Sequence, residues 1–74
     1  MSQSKIDPTQ YGFPRGLSQP AIRALLAADI TTLEQVAATG PTNLLKLHGV
    51  GPKAIPMLRQ ALAERGLSFA DEAA

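Results

Sequence analysis

The chain has 74 residues, with seven lysines and arginines against six aspartates and glutamates, one histidine and no cysteine. This length allows one domain at most and lies near the lower limit for a single apolar core. The lack of cysteine excludes disulfides and thiolate metal sites, and one histidine with scattered carboxylates does not predict a metal cage. We expect no membrane span, no secretory signal and no cofactor, and therefore a cytoplasmic protein.

The charge distribution is more informative than the net charge of +1, which is small for a dedicated nucleic-acid coat protein. From Arg15 to Arg65 the chain carries six cations against three carboxylates. Asp71 and Glu72 follow the last helical signal. The folded part is therefore predicted to be mildly basic, which is compatible with weak binding of a polyanion.

Three segments are predicted: a mobile arm (1–14), a helical domain (15–69) and a short acidic tail (70–74). The arm is polar and interrupted by two prolines and a glycine. Tyr11 and Phe13 are expected to cover an apolar edge of the core, with base stacking as the alternative.

The first helix is predicted from Ser18, a good N-cap, to a point near Asp29. Leu17 and Ile22 stand at the two positions of a hydrophobic staple around that cap. Thr31 and Glu34 have the spacing of a capping box, which predicts a short second helix with an apolar side of Leu33, Val36 and Ala37.

A third helix is predicted to begin at Pro41 and to bury Leu44, Leu45 and Leu47. The last helix is predicted to begin at Pro52 and to end at Arg65-Gly66, with Pro56 tightening its first turn or causing a mild kink. Its buried residues are expected to be Ala54, Ile55, Leu58, Ala61 and Leu62, and Leu67 and Phe69 should fold back over the core. No alternating β-branched run occurs, so the prediction is an all-α domain of four or five short helices.

The turn His48-Gly49-Val50-Gly51 is the motif whose residue types indicate a binding site. Glycine is the least costly residue at positive φ, and the missing Cβ leaves room for a large anion beside the backbone. Val50 is expected to anchor the turn in the core. The helix that follows would present free amides and the positive end of its dipole.

A phosphate oxygen would accept hydrogen bonds from these amides. The expected donors are the amides of Gly49, Gly51, Lys53 and Ala54, with Lys53 adding an ammonium group. The alternative is a purely structural turn. Leu25 to Thr32 also faintly echoes Leu45 to Pro52 at an offset of twenty residues, as in a duplicated helix pair.

The segment from Leu44 to Ala54, LLKLHGVGPKA, resembles the DNA-binding helix-hairpin-helix motif. From Gly16 to Phe69, the order of elements and the ending LAERGLS resemble the C-terminal domain of the bacterial RNA polymerase α subunit. This resemblance implies a compact SAM-like helical fold, contacts to the DNA minor groove and its phosphates, and contacts to transcription factors. It assigns the backbone contacts to Gly51 and Lys53, and we expect a free-standing relative of that domain.

Other basic residues are weaker candidates for nucleic-acid contact. The family's minor-groove arginine aligns with Pro20, whereas Arg23 lies one turn later where the family has asparagine. Lys46 is a flanking candidate, with an ordinary exposed charge as the alternative. His48 is expected to cap the third helix, and approach to a phosphate is the alternative.

Together these patterns predict a non-catalytic module that binds DNA weakly through backbone phosphate and largely without sequence preference. The alternative is a protein-interaction module of the same fold, associated with transcription, in which the hairpin is only structural. The small net charge and Pro20 favour this alternative. Neither a catalytic arrangement of side chains nor a small-molecule substrate is expected.

Overall fold

The computed structural model describes residues 5–70, and in this range the chain is entirely helical with no strand. A 3₁₀ helix, Pro8–Tyr11, precedes four α-helices. These are α1 (Gln19–Ala27), α2 (Leu33–Thr39), α3 (Pro41–Leu45) and α4 (Ala54–Glu64). The all-α prediction is therefore confirmed for this range. None of its helices has both the length and the apolar character needed to cross a bilayer.

Local side-chain signals set both ends of α1. The Ser18 side chain accepts a hydrogen bond from the Ala21 amide at 3.3 Å, and the staple residues on either side of the cap are both buried. At the other end Asp29 adopts a left-handed φ of 62°, and the Ile30 amide donates to the Leu25 carbonyl at 2.8 Å. These bonds form a Schellman termination at the predicted place.

The capping box of α2 lies one residue later than predicted. Thr32, not Thr31, is the N-cap, and its hydroxyl accepts from the Gln35 amide at 3.1 Å. The Gln35 side chain in turn accepts from the Thr32 amide at 3.1 Å. Glu34 is exposed and takes no part in the box. The prediction of Thr31 with Glu34 is wrong because the adjacent threonine offers the same spacing to a glutamine.

The short helix α3 buries less than predicted. Pro41 occupies its first position and Leu44 is fully buried, as expected. Leu45, however, is 44% exposed. Successive helical residues are separated by about 100° around the axis, so a five-residue helix with Leu44 inward turns Leu45 outward. Leu47 follows the helix and is half-buried.

Helix α4 begins at Ala54, two residues after the predicted start at Pro52. The Ala54 amide donates to the Gly51 carbonyl at 3.0 Å and the Ile55 amide to the Pro52 carbonyl at 3.3 Å. These three-residue bonds form a tight turn that leads into the helix. Pro56 is the third residue of α4, where a missing amide costs little because first-turn amides have no partner inside the helix.

The core is formed where the four helices meet, with α2 packing against both α3 and α4. All five residues predicted to be buried on α4 are buried: Ala54, Ile55, Leu58, Ala61 and Leu62. Gly66 is left-handed as predicted, and the Leu67 amide donates to the Leu62 carbonyl at 2.8 Å. This turn directs Phe69 into the core, where it is fully buried.

Residues 5–14, which were predicted to form a mobile arm, pack on the domain in this structure. Phe13 is 2% exposed, and Tyr11 stacks on it with ring centroids 5.7 Å apart, so the two rings cover the core edge as expected. The main chain of Ile6 donates to and accepts from the Gln19 side chain, at 2.9 Å in each case. Residues 1–4 and 71–74, which include the predicted acidic residues of the tail, lie outside the described range.

Candidate nucleic-acid interface

The turn between α3 and α4 rests directly on α1. Val50 is buried, and its amide donates to the Leu47 carbonyl at 3.1 Å, so it anchors the turn as predicted. Gly49 has a φ of +106°, and a Cβ built there would lie 2.7 Å from the Pro20 carbonyl oxygen. Glycine at this position is therefore required both by the backbone conformation and by the close approach of α1.

Gly51 differs from Gly49 on both counts. Its φ is not in the left-handed region, and a Cβ built on it would meet no atom within 4 Å. The expectation that the turn needs both glycines for positive φ is therefore wrong for the second one. The fold does not require a residue without a side chain at position 51. The sequence nevertheless has glycine there, on an exposed surface.

Three exposed residues around the turn carry amides without acceptors. Within residues 5–70 the amide nitrogens of Gly49, Gly51 and Lys53 have no hydrogen-bond acceptor. Pro52 has no amide hydrogen, and Ala54 is buried with its amide bonded to the Gly51 carbonyl. Ala54 is thus wrong as a donor, although it lines the same surface.

The start of α4 also lacks a side-chain cap, in contrast to α1 and α2. Ser18 and Thr32 satisfy amides at the starts of those helices, but no side chain bonds to the first amides of α4. With eleven residues, α4 is the longest helix of the described chain. The positive end of its dipole therefore faces solvent beside the three free amides, where an anion is stabilised.

These groups line a groove of about 620 Å³ between the first turn of α1 and the start of α4. We call it the hairpin groove. Lys53 supplies the only charged side chain among its lining residues, which are Gly16, Ser18, Pro20, Gly49, Gly51, Pro52, Lys53, Ala54 and Met57. The groove thus combines amide donors and an ammonium group with apolar walls that are formed by two prolines and a methionine.

The other predicted contacts lie outside this groove. His48 is exposed and lines a separate hollow of about 250 Å³ with residues of α1. Among residues 5–70 its side chain has no hydrogen-bond partner, so the expectation that it caps the third helix is wrong. Lys46, at the end of α3, and Arg23, on α1, are exposed and line neither hollow.

Sequence reasoning did not identify the opposite wall of the groove. Gly16 and Ser18 belong to it, and Ser18 was noted only as a helix cap. Met57, on the α4 side of the groove, was also missed. Met57 follows Ala54 by three residues and so shares its helical face, which is a signal that the sequence did contain. The approach of Gly16 depends on the packing of α1 against the turn and has no local signal.

The groove can hold an oxyanion whose remaining atoms are largely apolar. The free backbone amides and one ammonium group would bind the anion, and the apolar walls would cover its carbon atoms. Comparison of the chain with protein-family models, with curated proteins and with solved structures found no match.

Proposed function

We propose that this chain is a small, non-catalytic DNA-binding module of the cytoplasm that binds a backbone phosphate in the hairpin groove. The observation that carries the proposal is the bare Gly51, with unpaired amides at positions 49, 51 and 53 before an uncapped helix. Amides directed at a phosphate oxygen need no side chain for recognition. Lys53 adds charge attraction, which dominates non-specific affinity for nucleic acids.

The proposed binding is largely independent of base sequence. Amide groups that contact phosphate position a protein on DNA but do not read its bases. The residue nearest the groove on α1 is Pro20, which offers no donor to a base edge. Pro20, Pro52 and Met57 would instead pack on deoxyribose carbons. Arg23 and Lys46 would lie farther out and add long-range attraction, and His48 would lie outside the groove as well.

The proposed fold type is a SAM-like domain built from two helix-hairpin-helix pairs, similar to the C-terminal domain of the RNA polymerase α subunit. Two features of the turns support this duplication. Asp29 and Gly49, twenty residues apart, both have positive φ, and the residues after them, Ile30 and Val50, are both buried. Both turns therefore place a residue of positive φ before a buried aliphatic residue, although only the second turn has glycines.

Titration of a labelled DNA duplex at low and moderate salt tests the proposal. We expect a dissociation constant near 10⁻⁴ M, the weak end of non-specific binding. Gly51→Ala places a methyl group in the groove and should weaken binding about tenfold or more, the loss expected for one charge-assisted hydrogen bond. Lys53→Glu should weaken it further, and Lys5→Glu, which changes the charge equally outside the groove, should have a smaller effect.

Two results would contradict the proposal. One is equal binding by the wild type and the Gly51→Ala variant. The other is an equal loss for Lys53→Glu and Lys5→Glu, which would show that only total charge matters.

The second candidate is a protein-interaction module whose partner is associated with transcription. The small net charge of +1 favours it, because charge attraction supplies most of the non-specific affinity for DNA. Chemical-shift mapping separates the two functions. Shifts centred on Gly49 to Ala54 on addition of DNA support the first, and no shifts at millimolar DNA support the second.

A further inference from the structure

A second cleft continues the hairpin groove along α4. It has a volume of about 430 Å³, and its lining residues are Gly12, Phe13, Pro14, Arg15, Gly16, Met57, Gln60, Ala61, Glu64 and Arg65. Gly16 and Met57 line both hollows. The two hollows are therefore neighbouring parts of one channel, with the residues before α1 on one side and α4 on the other.

Two exposed arginines, Arg15 and Arg65, line the second cleft. A Cβ built on Gly12 would lie 3.1 Å from a terminal nitrogen of Arg65, so the glycine gives the guanidinium room beside the main chain. Among residues 5–70 neither Arg15 nor Arg65 forms an ion pair. Both guanidinium groups are therefore available to an external anion, for which their planar donors suit phosphate oxygens.

Two carboxylates lie near these arginines. Glu64 lines the cleft, whereas Asp7 does not. Hydrogen bonds from the Thr9 hydroxyl and amide lower the pKa of Asp7 most, and Arg15 lowers it by charge attraction to a smaller extent. The Asp7 oxygen is thus already engaged by Thr9, at 2.6 and 2.9 Å, and the arginines keep an excess of positive charge in the cleft lining.

The channel follows one face of α4. Its α4 residues are Ala54, Met57, Gln60, Ala61 and Glu64, which share one face of the helix and form a stripe along it. At 1.5 Å per residue this stripe is about 15 Å long. Successive nucleotides of one DNA strand advance about 3.4 Å along a duplex, so the channel matches about four of them.

We propose that the strand held at the hairpin groove continues across Gly16 and Met57 to a second contact, in which Arg15 and Arg65 each bind one phosphate. This inference rests on the proposed function and specifies its ligand as a nucleic-acid strand of at least four or five nucleotides. An isolated phosphate or a mononucleotide would leave one end of the channel empty. The uncharged middle, with Met57 and Ala61, accommodates sugars between the two contacts.

Salt dependence counts phosphate contacts and so tests the proposal. Binding of an eight-nucleotide single strand and of a duplex is measured from low to moderate salt for the wild type and for Arg15→Gln/Arg65→Gln. Each lost phosphate contact reduces the magnitude of the negative slope of log K against log salt by about 0.7 for single strands and about 0.9 for duplex DNA. The slope should therefore become shallower in the double variant by about 1.4 with the single strand and by about 1.8 with the duplex. If the site prefers one of these two probes, the full change appears with the preferred probe only.

Three further variants keep the result interpretable. Lys5→Gln removes one cation outside both hollows and should leave the slope within about 0.3 of the wild type, since a residue without a phosphate contact releases no counterion. Glu64→Gln removes the carboxylate of the cleft and should strengthen binding. Arg15→Gln alone should lose about half of the change, and it leaves the packing of Arg65 on Gly12 intact if the double variant fails to fold.

Probe length and a second polyanion provide the decisive outcomes. The wild type should bind the eight-nucleotide strand more tightly than a dinucleotide, and Arg15→Gln should reduce this difference. The inference is overturned if the arginine variants keep the wild-type slope, or if polyglutamate of equal charge displaces the strand as well as an unlabelled strand does. Loss of binding in Gly51→Ala with unchanged arginine variants would overturn only this inference, whereas no effect of Gly51→Ala would overturn the hairpin contact itself.

Discussion

At the scale of single residues, Gly49 and Gly51 have different surroundings although they are two positions apart. Gly49→Ala would combine a positive φ with a Cβ 2.7 Å from the Pro20 carbonyl oxygen. The conformational part alone costs about 1–2 kcal/mol, so we expect a loss of more than about 2 kcal/mol in the free energy of unfolding once the clash is added. Gly51→Ala meets no atom and no unfavourable φ and should change stability by less than about 0.5 kcal/mol.

Urea unfolding followed by circular dichroism measures both changes. A similar loss of stability in the two variants would show that Gly51 is a structural residue. The binding test with Gly51→Ala would then lose its meaning, because the variant would report on folding. A stable Gly51→Ala protein is thus the condition for assigning any loss of DNA binding to the groove.

At the scale of secondary-structure elements, the start of α2 depends on Gln35. Its side chain accepts hydrogen bonds from the amides of Thr31 at 2.8 Å and Thr32 at 3.1 Å, and donates to the Asp29 carbonyl at 3.1 Å. Gln35→Ala should therefore destabilise the protein by about 1–2 kcal/mol, the usual range for loss of a helix cap. Glu34→Ala is the matched control, and thermal unfolding compares the two variants. If Glu34→Ala lowered the unfolding midpoint more than Gln35→Ala, the observed register of the box would be contradicted.

The end of a helix could be predicted from the sequence where only one nearby residue suited the capping position. Ser18 caps α1 and Gly66 terminates α4 as the sequence indicated, because serine at an N-cap and glycine after a last turn are strong local preferences. The box of α2 was misplaced since Thr31 and Thr32 are adjacent and both are followed by a residue with a long acceptor side chain. Local spacing cannot choose between two such registers.

The start of α4 was predicted less well for a different reason. Pro52 is favourable at the first position of a helix, but the observed bonds from Ala54 and Ile55 close a tighter turn first. That turn uses the Ala54 amide and so changes which donors remain free. The predicted donors Gly49, Gly51 and Lys53 are among the amides without acceptors, and the exact set depended on a turn geometry that sequence spacing does not specify.

At the scale of the whole molecule, residues 5–14 are part of the fold. Phe13 is 2% exposed within the core, and replacing a buried phenylalanine with alanine costs about 3–5 kcal/mol. A chain of this length has a total stability of only about 4–11 kcal/mol. We therefore expect Phe13→Ala to lose a large part of the free energy of unfolding and to unfold at a much lower urea concentration than the wild type.

Near-ultraviolet circular dichroism and urea titration measure this loss. Gln10→Ala, at an exposed position of the neighbouring 3₁₀ helix, should unfold at the wild-type urea concentration. If Phe13→Ala also kept the wild-type midpoint, the segment would contribute nothing to the core. The domain would then begin at residue 15, as the sequence predicts.

The walls of the groove are a property of the whole molecule that sequence reasoning reached only in part. The turn and Lys53 are adjacent in sequence, and their spacing indicated a shared role. Gly16, Ser18 and Pro20 reach the same groove from about thirty residues earlier, through the packing of α1 on the turn. Such long-range approach follows from the assembled core, so it had no signature in local periodicity.

The contact between Gly49 and Pro20 has a consequence for descent. A lineage that keeps this fold must retain glycine at position 49 whether or not it binds anything, because any larger residue would force α1 away from the turn. Position 51 is under no such constraint and can drift to alanine or serine once selection for binding ends. In a set of diverging sequences, substitutions at 51 with an invariant 49 would mark the branches that have lost the proposed binding of nucleic acid.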